Sequence, residues 1–316
     1  MRIRFWGTRG SLPTALNAGS VRAKLAGALD ALGDQVPTDK DAFIDNLPFH
    51  LRGTYGGESS CVEIETGQDE YVLCDMGSGA RRFSLSALGK HGPAAPQTYN
   101  VFMSHLHWDH IMGLPFFVPA YIPGNKLRIH GCHEQLEYAF RRQQENPSFP
   151  VPFDIFGADI EFVHLEPELT TEVAGLAVTP FKQLHAGDSY GYRFETDDKV
   201  AVYSTDSEHK LDDISETEYF VNFFQQADIV VFDAMYSLAD SQSIKEDWGH
   251  SSNMVGVELC HMADVKRLAL FHHEPIFDDK KLDEILDETR RYEEIMRGEH
   301  NALEIVSAFD GLEVDL

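Results

Sequence analysis

The sequence predicts an α/β fold made of two mixed β-sheets with helices on their outer faces. Three observations point there. Strand-like runs come first and in pairs, and strands then mix with helices, which is the element order of packed layers. No internal repeat or low-complexity linker breaks the chain, so its 316 residues are expected to form a single domain, 1–316, around one large core. Hydrophobic residues make up 43%, enough to fill that core and too many for a disordered chain.

Arg2 to Trp6 reads as a strand, closed by the turn Gly7-Thr8-Arg9-Gly10-Ser11. Residues 15–52 differ in character. Val21, Leu25, Ala28 and Leu29 recur at helical spacing within Ala18 to Leu32,, while Asp34 to Phe49 is polar and irregular. The block is expected to be an insertion, serving as surface elaboration, a lid or an oligomer contact. Strands are expected at Cys61 to Glu65 and Tyr71 to Cys74, around the turn Thr66-Gly67-Gln68-Asp69,, and again at Tyr99 to Met103 and Leu127 to His130. Glu134 to Gln144 is expected to be a helix. Pro147, Pro150 and Pro152 then rule out a regular element,. Further strands are expected at Ile160 to His164, Leu176 to Pro180, Tyr190 to Glu195, Val200 to Ser204, Ile229 to Phe232 and Arg267 to Phe271. Met254 to Met262 and Lys281 to Met296 read as helices. The second puts Leu282, Ile285, Leu286, Thr289, Tyr292 and Met296 on one face and charge on the other,. A closing pair of strands is expected around Asp310-Gly311.

Charge limits the partners. The 26 Lys and Arg stand against 52 Asp and Glu, a net charge of −26, so most of the surface repels a long polyanion such as tRNA. A small anion still binds where divalent cations supply local positive charge. No apolar run reaches membrane-spanning length, and the N-terminus lacks the apolar stretch of a signal peptide,. The expected address is therefore the cytoplasm, with no membrane partner. Cys61, Cys74, Cys132 and Cys260 form no Cys-x-x-Cys pair and are expected to be buried free thiols. A homodimer is the expected assembly.

The chemistry concentrates in His105-Leu106-His107-Trp108-Asp109-His110. Chance produces this His-x-His-x-Asp-His spacing in about three chains per thousand of this composition. It directly follows an apolar strand, where functional loops are usually mounted. His105 and His107 are two apart, so in an extended segment they point the same way. Asp109 and His110 are then free to turn to a second metal. Imidazoles with carboxylates suit zinc, or iron or manganese with more oxygen. His185, Asp206 and His272 follow other strands and supply further ligands.

These stretches resemble the metallo-β-lactamase superfamily, in the branch of phosphodiesterases similar to RNase Z and to small cyclic-nucleotide and cyclic-phosphate diesterases. Besides the His-rich run, the likeness is carried by Phe5-Trp6-Gly7-Thr8-Arg9-Gly10-Ser11, Tyr55-Gly56-Gly57, Asp75-Met76-Gly77-Ser78-Gly79, Leu114-Pro115-Phe116-Phe117, Tyr203-Ser204-Thr205-Asp206, Asp233-Ala234-Met235-Tyr236, Gly249-His250-Ser251-Ser252 and Phe271-His272-His273-Glu274-Pro275. The resemblance implies an αββα sandwich with two divalent metal ions, Zn2+ first and Mn2+ or Fe2+ next. It implies His105, His107 and His185 on one metal, Asp109, His110 and His272 on the other, and Asp206 between them. His273 stands as the alternative to His272. Asp75 resembles the carboxylate that supports the site from behind. Asp109, His250 and Asp233 are expected to act in the reaction itself, with Asp233 orienting His250 as general acid. The plain alternative for Gly249-His250-Ser251 is a helix N-terminus capped by Ser251.

The chain departs from that branch in having Glu58 where many relatives have Asn, in the long 15–52 block, and in lacking a basic, Gly-Pro-rich arm for tRNA. The expected reaction is hydrolysis of a small phosphodiester such as 3′,5′-cyclic AMP by a hydroxide shared between two metals. Arg9 or Arg81 is a candidate for holding a phosphate oxygen, and Phe116, Phe117, Phe149 and Phe153 for walling a base pocket. The alternatives are a hydrolase of a thioester, lactone or β-lactam, an RNase Z-like RNA 3′-end nuclease, and a non-catalytic metal-binding domain. A di-iron redox enzyme would usually carry Glu where this chain has His107.

Overall fold

The computed structural model describes residues 1–34, 36–236 and 249–316. Two seven-stranded sheets lie face to face. The first runs β14 (Glu313–Asp315), β1 (Arg2–Gly7), β2 (Cys61–Glu65), β3 (Tyr71–Cys74), β4 (Thr98–Phe102), β5 (Lys126–Gly131) and β6 (Asp159–His164). The second runs β13 (Glu304–Ser307), β12 (Arg267–Phe271), β11 (Ile229–Asp233), β10 (Val200–Ser204), β9 (Ser189–Glu195), β8 (Leu176–Gln183) and β7 (Thr171–Val173).

Both sheets follow one plan. From β14 to β3 the pairings are antiparallel, and from β3 to β6 they are parallel. From β7 to β10 they are antiparallel, and from β10 to β13 parallel. Strands β3 and β10 therefore occupy equivalent places, each where the pairing changes.

Side-chain alternation builds the layers. On β10, Ala201 and Tyr203 face the core between the sheets, while Val202 faces the helices outside. Phe102 meets Phe194 edge-on across the sheets at 5.2 Å. Helices α4 (Gly79–His91) and α6 (Leu136–Gln143) cover the first sheet through Phe83, Ala87, Leu136 and Phe140. Helices α7 (Ile214–Phe224), α8 (Asn253–Met262) and α9 (Asp279–Met296) cover the second through Phe220, Phe224, Val257, Leu282 and Ile285. Asp278 caps α9 by accepting from the Lys281 amide,. The result is the expected αββα sandwich.

Three expectations need correction. The closing strands do not pair with each other: β14 joins β1 and β13 joins β12. Phe309 to Leu312 carries the chain from one sheet to the other, and the Gly311 amide donates to Phe5 O at 2.7 Å on the way. The stretch 34–49 is not wholly irregular, because Asp39 caps a short helix α2 (Lys40–Asp45). Helix α1 (Ala18–Leu32) forms as its spacing predicts, with Asn17 as cap, but Val21, Leu25 and Leu29 point to solvent. Its other face meets the body instead. Lys24 Nζ donates to Gly53 O at 2.9 Å and pairs with Asp279, and Gly27 lies against Leu51 of α3 (Phe49–Arg52). Helices α4 and α7 have no counterpart among the expected elements. The buried set of α4 is mostly small (Gly79, Ala80, Ser84, Ala87), which leaves little hydropathy signal.

All four cysteines are buried and unpaired. Among the described residues no helix is long and apolar enough to cross a membrane.

Phe194 is fully buried between the sheets. Phe194→Ala is expected to cost about 3–5 kcal/mol, read as a lower urea midpoint with an unchanged m-value.

Candidate metal centre

The site forms where the C-terminal ends of the central strands of both sheets meet, the usual place for ligands in open α/β sheets. Strand β4 leads into His105 and His107, whose rings lie 4.4 Å apart, with His107 on extended backbone. The chain then coils into a short helix α5 (Trp108–Ile111), which swings Asp109 and His110 to a different side. From the second sheet, His185 follows β8, Asp206 follows β10 and His272 follows β12.

These residues gather into two trios. His105, His107 and His185 each offer a ligand atom within 4.8 Å of the others, and so do Asp109, His110 and His272. Asp206 stands between them. Its Oδ2 lies 3.6 Å from His105 Nε2 and 3.8 Å from His185 Nε2. Its Oδ1 lies 3.3 Å from His110 Nε2 and 3.2 Å from His272 Nε2.

Hydrogen bonds behind the rings indicate what these atoms can bind. Asp75 Oδ2 accepts from His110 Nδ1 at 2.7 Å, which leaves Nε2 as a bare lone pair. That buried Nε2 has no hydrogen-bond partner, although oxygens of Asp109 and Asp206 stand 3.2 and 3.3 Å away. His185 Nδ1 donates to Gly249 O at 2.8 Å, so its Nε2 also presents a lone pair. Lone pairs converging on lone pairs repel unless a cation lies among them, so this donor set fits metal binding. Without a cation the same carboxylates draw a proton to that nitrogen: burial opposes charge on His110, yet Asp109, Asp206 and Asp75 outweigh it and hold its pKa well above the usual value, so the position calls for positive charge that a metal ion would supply in the proton's place,. Burial pushes the Asp206 carboxyl up, but His272, His110 and His105 hold it well below the usual carboxylate range.

The support for His110 is itself dense. Asp75 Oδ2 also accepts from Ser104 Oγ and from Tyr203 Oη, each at 2.7 Å, while Oδ1 accepts from the Ser104 amide at 2.8 Å. Asp75 is fully buried. Two glycines give the rings room. A Cβ on Gly10 would stand 2.6 Å from the His272 ring, and one on Gly249 would stand 2.5 Å from His185 Nδ1.

His250 and Asp233 lie beside both trios. His250 Nδ1 is 2.8 Å from Asp233 Oδ2. Its ring stacks on His272 at 5.2 Å and lies 5.1 Å from His185. Burial works against its charge, but the Asp233 carboxylate outweighs burial and raises its pKa to about 9. Asp233 is held by the Ser207 and Met235 amides, each at 3.1 Å.

Other expected residues are placed elsewhere. His273 turns away and donates to Ala308 O at 2.7 Å, so His272 is the one that faces the cluster. Arg9 is not available for a phosphate: its guanidinium is buried and donates to the carbonyls of Gly56, Glu274 and Phe277. Arg81 is exposed on α4. Phe117 belongs to the core with Phe83 and Tyr99, and Phe153 packs on Phe156 and Phe162. Phe116 is exposed and meets Phe149 edge-on at 5.7 Å. The cap of α8 is Ser252. Ser251 instead donates to Ser207 O and accepts from the His209 amide. Glu58 accepts from Ser78 Oγ. Ser104 and Tyr203 were absent from the expected site. A Tyr on the inner face of a central strand needs a polar partner for its hydroxyl, which is the signal that would have found Tyr203.

A two-sheet sandwich with a His/Asp cluster at its strand ends is the architecture of the metallo-β-lactamase fold. The family model described as "Beta-lactamase superfamily domain" matches residues 70–273, and the chain belongs to the metallo-β-lactamase superfamily. Ribonuclease Z of Streptococcus agalactiae serotype Ia is 27% identical over 250 residues, which cover 65% of this chain and 79% of that protein. The crystal structure of YhfI, a metallo-β-lactamase-fold protein from Bacillus subtilis, covers 99% of this chain and 98% of its own, with a TM-score of 0.64 and 16% identity. A diphosphatase of the PhnP family covers 100% and 97%, with a TM-score of 0.61 and 18% identity.

Tyr203→Phe removes one of the three donors to Asp75 Oδ2. It is expected to weaken divalent-ion binding about 10–100-fold, measured by competition with a chromophoric chelator.

Proposed function

We propose that this chain hydrolyses small phosphodiesters, with a cyclic nucleotide such as 3′,5′-cyclic AMP as the leading substrate class. The observation that carries the reading is the His250–Asp233 pair, set against His185, Asp206 and His272. A thioester, lactone or β-lactam has less use for such a proton donor than a departing alkoxide.

In this reading His105, His107 and His185 would hold one divalent ion and Asp109, His110 and His272 the other, with Asp206 placed between the two trios. Nitrogen-rich donors suit Zn2+, with Mn2+ or Fe2+ as alternatives. Bound ions supply Lewis acidity toward the phosphoryl group and lower the pKa of water to about 7. The remaining work belongs to the side chains. Asp75, held by Ser104 and Tyr203, fixes the tautomer of His110. Asp109 faces both His110 and His272 and sets their spacing. Asp233 holds the proton on His250 and aims the ring. His250 delivers that proton to the leaving oxygen as the P–O bond breaks. The exposed Phe116, backed by Phe149, offers an apolar wall for a base.

A second reading, RNA 3′-end processing, is favoured by the likeness to Ribonuclease Z. The net charge of −26 speaks against a long polyanion.

The test is turnover of bis(p-nitrophenyl) phosphate, 3′,5′-cyclic AMP and a 3′-extended tRNA by metal-loaded protein, beside Asp206→Ala. Both diesters are expected to turn over, and Asp206→Ala to abolish it. Cleavage of the tRNA alone would establish the second reading. No cleavage of any of the three, with metal occupancy confirmed, would put thioesters and lactones first.

His250→Ala gives a sharper prediction. It is expected to slow hydrolysis of 3′,5′-cyclic AMP about 10²–10⁴-fold. The loss on bis(p-nitrophenyl) phosphate should be much smaller, because p-nitrophenolate leaves without a proton. Equal losses on the two substrates would remove His250 from the role of general acid.

A further inference from the structure

Helix α1 is amphipathic in the wrong sense for a helix packed on its own domain. Ser20, Lys24 and Gly27 face the body, and Ser20, Ala23 and Lys24 line a cavity of about 370 Å³ shared with Phe277 and Asp279. Val21, Leu25 and Leu29 recur every four residues on the opposite side and are 45%, 62% and 65% exposed,. No residue of α1 is buried. Leu16, Val36 and Ile44 are exposed in the same 15–52 block, and Leu12 just before it. Such a concentration of exposed apolar side chains marks a contact surface.

Charge identifies what covers it. The chain carries 52 acidic residues, yet none lies between Leu12 and Leu29. Two copies of a chain with net charge −26 repel each other over most of their surfaces, and an acid-free apolar face is where they can approach. A membrane surface fits less well. An anionic leaflet repels the chain as a whole, and Lys24, one of the two cations on α1, is turned inward to Asp279.

We propose that α1 is a homodimer contact in which two copies pack antiparallel about a twofold axis through Leu25. Leu25 meets Leu25 of the second copy, and Val21 packs on Leu29. The antiparallel arrangement also opposes the two helix dipoles. The contact uses none of the residues assigned to the metal centre, so it stands or falls independently of the proposed reaction.

The experiment is solution mass by sedimentation and light scattering, over roughly 1–100 μM, a range that brackets dissociation constants typical of specific dimers. Wild type is expected at twice the 35.6 kDa chain mass. Leu25→Asp, which places two charges on the axis, should weaken dimerisation roughly thirtyfold or more. Its circular dichroism and metal content should be unchanged. Ile214→Asp, which replaces an exposed residue on α7, should leave the dimer intact. Leu25→Cys should form a disulfide-linked dimer on oxidation, because position 25 faces itself across the axis and the four native thiols are buried,. A wild-type monomer throughout the range overturns the proposal and leaves the face to a different partner. A dimer that survives Leu25→Asp, or a Leu25→Cys protein that does not cross-link, overturns it in favour of another interface.

Discussion

Asp206 turns one carboxylate oxygen toward His105 and His185 and the other toward His110 and His272. That division of two oxygens between two trios depends on both sheets at once. His105 and His110 come from the first sheet, and His185, Asp206 and His272 from the second. The core between the sheets therefore fixes more than stability. A shift of one sheet against the other by the length of a hydrogen bond would pull the trios apart. Two side-chain bonds that cross the interface lie next to the site. Tyr203 of β10 reaches Asp75 at the end of β3, and Tyr192 of β9 reaches Met103 O at the end of β4, at 2.6 Å.

The shared plan of the two sheets explains why aspartates occupy these places. Asp75 follows β3 and Asp206 follows β10, the two strands at which pairing changes from antiparallel to parallel. At that point one neighbouring strand runs back and the other runs on. Both aspartates have left-handed backbone, with φ of 62° and 49°, as does His272 with 59°. Such angles are costly for residues with a Cβ and persist only where the surroundings impose them. Here the surroundings are the hydrogen bonds of Asp75 and the donor cluster around Asp206 and His272. The two aspartates have divided their work: one contacts the cluster and the other holds a ring that does.

Much of this was legible in sequence because it is local. The His-x-His-x-Asp-His spacing joins an extended segment to a helical turn, and that geometry alone sends its donors two ways. His185, Asp206 and His272 could be located because each follows an apolar strand, although neither periodicity nor spacing says which strand ends converge. His272 and His273 could not be separated, since adjacent residues differ only in the face they present, and that face is set by the left-handed turn at His272. Arg9 was misread for a related reason. A guanidinium near a metal site suggests an anion, but here three carbonyls, from segments far apart in sequence, claim it first. The stripe on α1 illustrates the limit of periodicity. Spacing predicts a helix with one apolar face, but only the packing of Lys24 and Gly27 shows that this face points outward.

The acidity of the chain and the need of its centre for cations act at different ranges. Fields from surface charges are screened within about 8 Å at physiological salt, so a small monoanion meets strong repulsion only over a short approach. A polymer that spans many screening lengths meets it along its whole contact. On the proposed reading, a small diester at the centre would sit among buried imidazoles and bound divalent charge, where screening is weak and the sign is reversed. The same net charge of −26 that disfavours a long nucleic acid is therefore compatible with a compact phosphodiester. It also confines close approach between copies of the chain to surface that carries no acid, and the stretch from Leu12 to Leu29 is such a surface.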